Sequence, residues 1–420
     1  MPLNERDDAA LIDRIAAFFG PDPPPVLGVA VSGGSDSLAL LALLTTWRDM
    51  GGPDLCAVTV DHGLRAEAAD EAARVAADCA RLGVPHDTRE WRGWDGQGNL
   101  PDRARRARYG LMARWASERG VGHVALGHTA DDQAETFLMR LSREAGLEGL
   151  TGMAPHREVD GVTFCRPVLD ITRETLRDVL RARGMSWVED PGNVDTHYAR
   201  VRARAALAEL APLGITAPGL VRVVGNLRQA DDTLDGYVHD AARALVRIEA
   251  GDLLVARPGF DALRDEIARR LLRHALGWVS GAEYPPRRRA MRRLAETIAA
   301  GRGMTLQGCV VTVRPRAIRV SREPRALAGE TALPGALWDG RWRITGPETP
   351  GAIVAALGMA GLRACPPREK GGPPARSLAA SPAVWRGGEL LAAPLAGHGA
   401  GWRAELVRDA DDFFAALTSH

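Results

Sequence analysis

Val26-Leu-Gly-Val-Ala-Val31 runs directly into Ser32-Gly-Gly-Ser-Asp-Ser37, and a helical pattern continues to about Met50. An unbroken apolar run that ends in a glycine turn reads as a strand buried on both faces. Glycines let the following backbone turn tightly and aim its N–H groups inward, and a helix N-terminus adds partial positive charge. The hexapeptide therefore reads as a phosphate cradle. No Gly-Lys-Ser/Thr follows, so it is not a Walker A loop, and its spacing is not G-x-G-x-x-G. Two glycines alone would suit any strand-to-helix turn. The four hydroxyl or carboxylate groups around them favour phosphate.

The same pattern repeats downstream. Leu55-Cys-Ala-Val-Thr-Val60 reads as a strand and Ala66 to Leu82 as a helix. A Pro-started helix from Pro101 to Arg119, a strand His123-Val-Ala-Leu126 and a helix from Ala130 to Ser142 follow. Strands alternating with helices at this spacing predict an α/β domain, an open parallel sheet with helices on both faces. Two further polar islands sit at strand ends. Val60-Asp-His-Gly-Leu-Arg65 would suit a solvated turn equally well. Gly127-His-Thr-Ala-Asp-Asp-Gln-Ala-Glu-Thr136 puts His128, Asp132 and Glu135 on one helical face. Capping and the helix dipole would account for Asp131 alone. In open parallel sheets ligands bind beyond the carboxyl ends of the strands, so all three islands converge there. A phosphate cradle facing carboxylates suits Mg-ATP chemistry.

Texture divides the 420 residues into three: a catalytic α/β domain over 1–215, a helical, Arg-rich domain over 216–325, and a small mixed α+β domain over 326–420. The stretch from Ala217 to Ala300 reads as helical and includes Arg287-Arg-Arg-Ala-Met-Arg-Arg293; Met304 to Ser321 reads as a hairpin turning near Arg314-Pro-Arg316.

A hydrophobic fraction of 45% and a charged fraction of 25% are ordinary for a globular protein. The net charge of +1 hides a skew, because Lys370 is the only lysine. Arg is the better fork for phosphate, but a coding bias toward Arg and Ala accounts for most of this skew, so charge neither demands nor excludes nucleic acid. Residues Met1 to Gly20 show no signal-peptide pattern, and the apolar stretch from Val26 to Trp47 is broken at its centre, so no membrane span is expected. Cys56, Cys79, Cys165, Cys309 and Cys365 lie far apart without metal spacing, which makes a reduced, cytoplasmic setting the expectation.

Ser-Gly-Gly-x-Asp-Ser after a strand resembles the PP-loop, or N-type, ATP pyrophosphatases, whose fold is Rossmann-like. Within them the chain is similar to the tRNA(Ile)-lysidine synthetase family. Asp61-His-Gly-Leu-Arg65, Ala104-Arg-Arg-Ala-Arg-Tyr109, Gly127 to Thr136, and Glu189-Asp-Pro-Gly-Asn193 with Asp195 and Tyr198 carry that likeness. Thr305-Leu-Gln-Gly-Cys309 and Val384-Trp-Arg-Gly-Gly-Glu-Leu-Leu391 extend it to the tail.

The resemblance implies a two-step reaction on isoleucine tRNA with a CAU anticodon. The wobble cytidine O2 attacks the ATP α-phosphate, and the ε-amine of free L-lysine then displaces AMP from C2. It implies ATP and Mg2+ as cofactors. Ser32, Gly33, Gly34, Ser35, Asp36, Ser37 and Asp61 would bind ATP, with Asp36 and Asp131 at the metal. Arg108 would neutralise phosphate charge and His128 would lie against the reacting nucleotide, making Asp36, Arg108 and His128 the catalytic set. Asp132 and Glu135 would hold the lysine ammonium. Arg105, Arg200, Arg204, Arg287 and Arg288 would contact tRNA, although helical arginines are as often a solvated face.

Departures from the family pattern are Glu144-Ala145-Gly146 in place of Gly-Ser-Gly, Arg200-Val-Arg-Ala-Arg204 in place of Arg-Asn-x-Ile-Arg, and Gly192 in place of Ser. The nearest rival is a PP-loop tRNA thiolation enzyme, which would deliver sulfur through cysteines or an iron–sulfur cluster. An ammonia-using synthetase and a non-catalytic tRNA binder are more distant. The oligomeric state is left open, a dimer included.

Overall fold

The computed structural model describes residues 5–61, 63, 68–91, 100–189, 197–282, 284–368 and 371–417. His62, Leu64, Arg65, the Asp190 to Asn193 stretch and Asp195, all quoted above, lie outside the described residues. The chain separates into two compact units between Asp231 and Asp232.

The first unit opens with helix α1 (Glu5–Phe19), strand β1 (Val26–Ala30) and helix α2 (Ser35–Asp49). Next come β2 (Asp54–Asp61), α3 (Ala68–Arg81), β3 (His86–Glu90), α4 (Leu100–Glu118), β4 (His123–Leu126) and α5 (Ala130–Leu141). A short α6 (Leu147–Leu150), the hairpin β5 (His156–Val159) and β6 (Val162–Cys165), α7 (Arg173–Ala182), α8 (Ala199–Leu210) and the start of α9 (Ala217–Leu245) complete it. The six strands lie in the order β3-β2-β1-β4-β6-β5. All neighbours are parallel except the β5–β6 pair.

Chain order reverses at β1, which pairs with β2 on one side and β4 on the other. That switch point opens a crevice at the strands' carboxyl ends. Helix α2 packs over it with Leu38, Leu40, Leu41, Leu43 and Leu44 all buried. At roughly 1.5–3 kcal/mol for each fully buried leucine, α2 is held firmly, and so is the turn that starts it.

Two elements depart from the sequence expectation. Strand β3, His-Asp-Thr-Arg-Glu, has no apolar run because it is the half-exposed edge of the sheet. The β5–β6 hairpin closes the opposite edge, and its outer strand is likewise polar.

In the second unit the stretch expected to be helical contains a hairpin, β7 (Val246–Glu249) and β8 (Asp252–Ala256), turning at Ala250 and Gly251, both with positive φ. It joins β9 (Met304–Leu306), β10 (Cys309–Val313) and β11 (Ala317–Arg322) in a five-stranded sheet ordered β7-β8-β11-β10-β9. The expected turn near Arg314 to Arg316 is present, between β10 and β11. Helices α10 (Arg257–Asp261), α11 (Asp265–Ser280) and α12 (Arg288–Ala299) complete this part of the unit. Residues 331–406 form a four-stranded and a three-stranded sheet with short helices. Among the described residues no single helix is long and apolar enough to cross a membrane; only α8 and α9 taken together, bent by 96°, reach that length and composition.

Candidate active site

At the switch point the backbone of residues 32–37 wraps the start of α2. Gly33 adopts φ +82°, a left-handed conformation that favours glycine, and its carbonyl accepts the Val188 N–H at 3.0 Å. Ser37 Oγ accepts the Ser32 N–H at 3.1 Å and donates to Gly34 O at 3.2 Å, so the turn is braced from within. No side chain caps α2, whose cap residue is Gly34. An uncapped helix start beside a glycine turn leaves backbone N–H groups for an anion.

Gly127, which follows β4, presses on this turn. A Cβ there would stand 2.8 Å from Ser37 Cα and N and 2.9 Å from Asp36 C. The first and third islands are thus in backbone contact, and only glycine permits it.

A cavity of about 570 Å³ opens above these loops. Ser32, Gly34, Ser35, Asp36 and Ser37 line it, with Asp61, whose Oδ1 accepts the Gly63 N–H at 2.8 Å. Arg108, His128, Asp132, Arg200 and Arg204 line it as well. Val58, Val60, Met112 and Leu126 supply an apolar wall, the usual complement of a few convergent polar groups in a ligand site.

The carboxylates differ in what they do. Asp132 caps its own helix: Oδ2 accepts from the Thr129 N–H at 2.9 Å and the Thr129 hydroxyl at 3.0 Å, closing a capping box. Its other oxygen faces Arg173 at 3.4 Å and Arg200 at 3.9 Å. Burial opposes ionisation, but Arg200 and Arg173 hold this carboxyl below its usual range. Glu135 is fully buried and is not among the lining residues; Arg204 Nε lies 2.9 Å, Arg200 Nε 3.1 Å and Arg173 Nη1 3.6 Å from its carboxylate. Burial raises its pKa despite these cations. Asp36 is likewise raised by burial, with Arg173, 2.9 Å away, pulling the other way.

Asp131, expected beside the metal, is turned elsewhere. Its Oδ2 accepts the Arg173 N–H at 2.7 Å at the start of α7, and it does not line the cavity. Of the expected metal pair only Asp36 faces the cradle. Among the described residues no three His, Cys, Asp or Glu side chains gather to hold a metal by themselves. Mg2+ usually takes only one or two carboxylates and fills its octahedron with phosphate oxygens and water, so the single carboxylate of Asp36 beside a phosphate cradle is a donor set that fits it.

His128 is buried hard enough that its pKa falls to about 3, with Asp132 opposing and Arg166 and Arg108 reinforcing the shift. It is therefore neutral at physiological pH, and its Nδ1 has no hydrogen-bond partner. Arg108 is also desolvated, and its pKa is lowered by burial. Arg105 lies outside the cavity, 5.5 Å from the Tyr109 ring. Arg200 and Arg204, expected at tRNA, line the cavity and lie against Glu135. Arg287 and Arg288 are exposed at the start of α12 in the second unit.

Sequence reasoning missed Arg173, which touches Asp36, Asp132 and Glu135 together. One signal was available: an Arg at the first position of a helix opposes the helix dipole and calls for a carboxylate partner. Tyr109 also went without a role. It lines the cavity, and its hydroxyl accepts from Arg166 Nη2 at 3.1 Å. Cys56, Cys79 and Cys165 are unpaired and none lines the cavity. Burial pushes the Cys79 and Cys165 thiols up to about 12, far from the thiolate that sulfur transfer needs.

Residues 8–211 match the family model described as the PP-loop domain. The chain is 52% identical over 410 residues to tRNA(Ile)-lysidine synthase of Ruegeria pomeroyi, covering 98% of each. It is 39% identical to the Bradyrhizobium sp. enzyme of the same name, over 77% of this chain and 96% of that one. The Rhodopseudomonas palustris enzyme of that name is 40% identical, over 73% of this chain and 86% of its own length.

Proposed function

The chain belongs to the tRNA(Ile)-lysidine synthase family, and from that premise we propose how its residues make lysidine at the expense of ATP. The observation that carries the proposal is one cavity lined both by the Ser32–Ser37 cradle and by Arg108, His128 and Asp132. The substrates are isoleucine tRNA with a CAU anticodon, free L-lysine and ATP.

In the first step the cytidine O2 attacks the α-phosphorus and pyrophosphate leaves. The Ser32–Ser37 turn holds the pyrophosphate through its N–H groups, and Arg108 faces the charge that develops on the α-phosphate, where low dielectric strengthens its effect. Asp36 would hold Mg2+ at the cradle, and the ion would supply charge neutralisation on the leaving pyrophosphate. His128, neutral and with Nδ1 unpartnered, hydrogen-bonds the reacting base. In the second step the lysine ε-nitrogen attacks C2 and AMP leaves. Asp132 holds the ammonium and is the acceptor for the proton it sheds before attack, while Glu135, clamped by Arg200 and Arg204, fixes the charge behind it. Arg105 on α4, and Arg287 with Arg288 on α12, contact the tRNA backbone. The parts over 216–325 and 326–420 serve tRNA recognition, and the site of action is cytoplasmic.

The test is ATP-dependent incorporation of labelled lysine into a CAU-anticodon isoleucine tRNA transcript, with methionine tRNA and omission of lysine as controls. Incorporation into the isoleucine transcript alone is the expected result. Adenylation of the transcript without lysine transfer would overturn the assignment of the amine site.

A further inference from the structure

We propose that Arg173 is a positioning residue shared by the two half-reactions: its guanidinium occupies the amine site of the nucleotide-free protein, and nucleotide phosphates in the cradle draw it off. The inference rests on the reading above, in which Asp132 receives the lysine ammonium.

The geometry is that of one cation spanning two sites. Arg173 Nε lies 2.9 Å from Asp36 Oδ2 at the cradle, Nη2 lies 3.4 Å from Asp132 Oδ1, and Nη1 lies 3.6 Å from Glu135 Oε1. A lysine ammonium seeking Asp132 meets a guanidinium already there, and two like charges cannot share one carboxylate cheaply. The main chain is pinned, since Asp131 accepts the Arg173 N–H at 2.7 Å and Thr172 caps α7. Movement therefore falls to the side chain, which lines the cavity.

A planar guanidinium is a good fork for phosphate oxygens, and the cradle that would present them is within its reach through Asp36. Its departure leaves no buried charge stranded. Arg204 at 2.9 Å and Arg200 at 3.1 Å stay on Glu135, while Asp132 keeps its Thr129 hydrogen bonds and, with only the more distant Arg200 left at 3.9 Å, offers Oδ1 to the incoming amine. Adenylation and amine capture are thereby ordered, because the lysine subsite opens only when nucleotide is bound. Linkage requires the reverse effect too, with lysine tightening nucleotide by the same factor.

Equilibrium dialysis with labelled L-lysine, with and without α,β-methylene-ATP and Mg2+, tests this in the full chain without tRNA. The wild type is expected to bind lysine at least tenfold more tightly with nucleotide. Arg173→Met is expected to bind lysine equally with and without it, near the nucleotide-bound affinity of the wild type, and Arg173→Lys to keep part of the dependence. Should the Met variant not fold, Arg173→Gln replaces it. Nucleotide-independent lysine affinity in the wild type, alongside normal lysine transfer to tRNA, would overturn this proposal alone. Absence of both lysine binding and lysine transfer would overturn the functional reading with it.

Discussion

Gly127 carries no side chain because the backbone of Asp36 and Ser37 stands where a Cβ would go, at 2.8–2.9 Å. Neither backbone can yield without moving the cradle, and a displacement of about 1 Å in a positioned site can cost on the order of a hundredfold in rate. Gly127→Ala should therefore lower the adenylation rate by ten- to a hundredfold while lysine binding persists, as pyrophosphate release and dialysis would show. His128 makes a different prediction. Its folded pKa of about 3 lies below the ordinary 6.5, so below pH 6.5 the unfolded chain takes a proton that the folded chain refuses. This contribution to stability is present above pH 6.5 and is lost as pH falls toward 3, amounting to about 2 kcal/mol between pH 7 and 5. Denaturant unfolding of His128→Asn should lose about that much less than the wild type over the same interval. At this scale the helical spacing of His128, Asp132 and Glu135 set Asp132 toward the site, but it did not record that Asp131 turns to the Arg173 N–H or that Glu135 sits behind Arg200 and Arg204, off the cavity lining. Asp131 and Asp132 are chemically identical; only the register of α5 against α7 turns one to the Arg173 N–H and the other to the site.

Among the elements, the α5–α6 connection and α12 carry the sharpest expectations. Glu144, where relatives are expected to carry glycine, sits at φ +55°, a conformation that costs a non-glycine residue on the order of 1 kcal/mol. It is exposed, so Glu144→Gly should raise the unfolding free energy by up to about 1 kcal/mol in denaturant melts, and a β-branched Glu144→Val should lower it. Exposed Arg287 is the cap residue of helix α12, which begins with exposed Arg288 and Arg289 and has no acidic residue in its first turn. That concentrates cations where the helix dipole is already positive, an arrangement suited to phosphate. Arg287→Ala with Arg288→Ala should weaken tRNA binding and reduce the slope of log K against log salt by about 2. Filter binding across a salt series checks this, and an unchanged slope would exclude α12 from the tRNA interface. Of the strands that escaped sequence reading, β3 and β5 are sheet edges with one face to solvent, which removes the apolar run that betrays a buried strand.

At the scale of the whole chain, the second unit is tied together across its length. Phe413, fully buried near the C-terminus, packs on Trp278 of α11 at a centroid distance of 5.7 Å, and its carbonyl meets His274 Nε2 at 2.9 Å. Arg322 of β11 pairs with Asp339 at 2.8 Å, and Arg341 lies over the Trp278 ring at 4.9 Å. Phe413→Ala should cost about 3–5 kcal/mol, and hydrogen exchange on the full chain should lose protection in the 246–322 sheet as well as in the tail. By itself the sequence determined the α/β class, the glycine turn that starts α2 and the placing of three polar islands at strand ends, because each is local: an apolar run, a glycine turn, a helix start. Tertiary structure alone decided that Arg173, Arg200 and Arg204 meet carboxylates of Asp36, Asp132 and Glu135 up to 137 positions away in the chain. It also decided that Phe413, on the short helix Ala410–Ala415, completes the core of the second unit. Pairings over such separations are set by how sheet order folds the chain back on itself, and no local period records them.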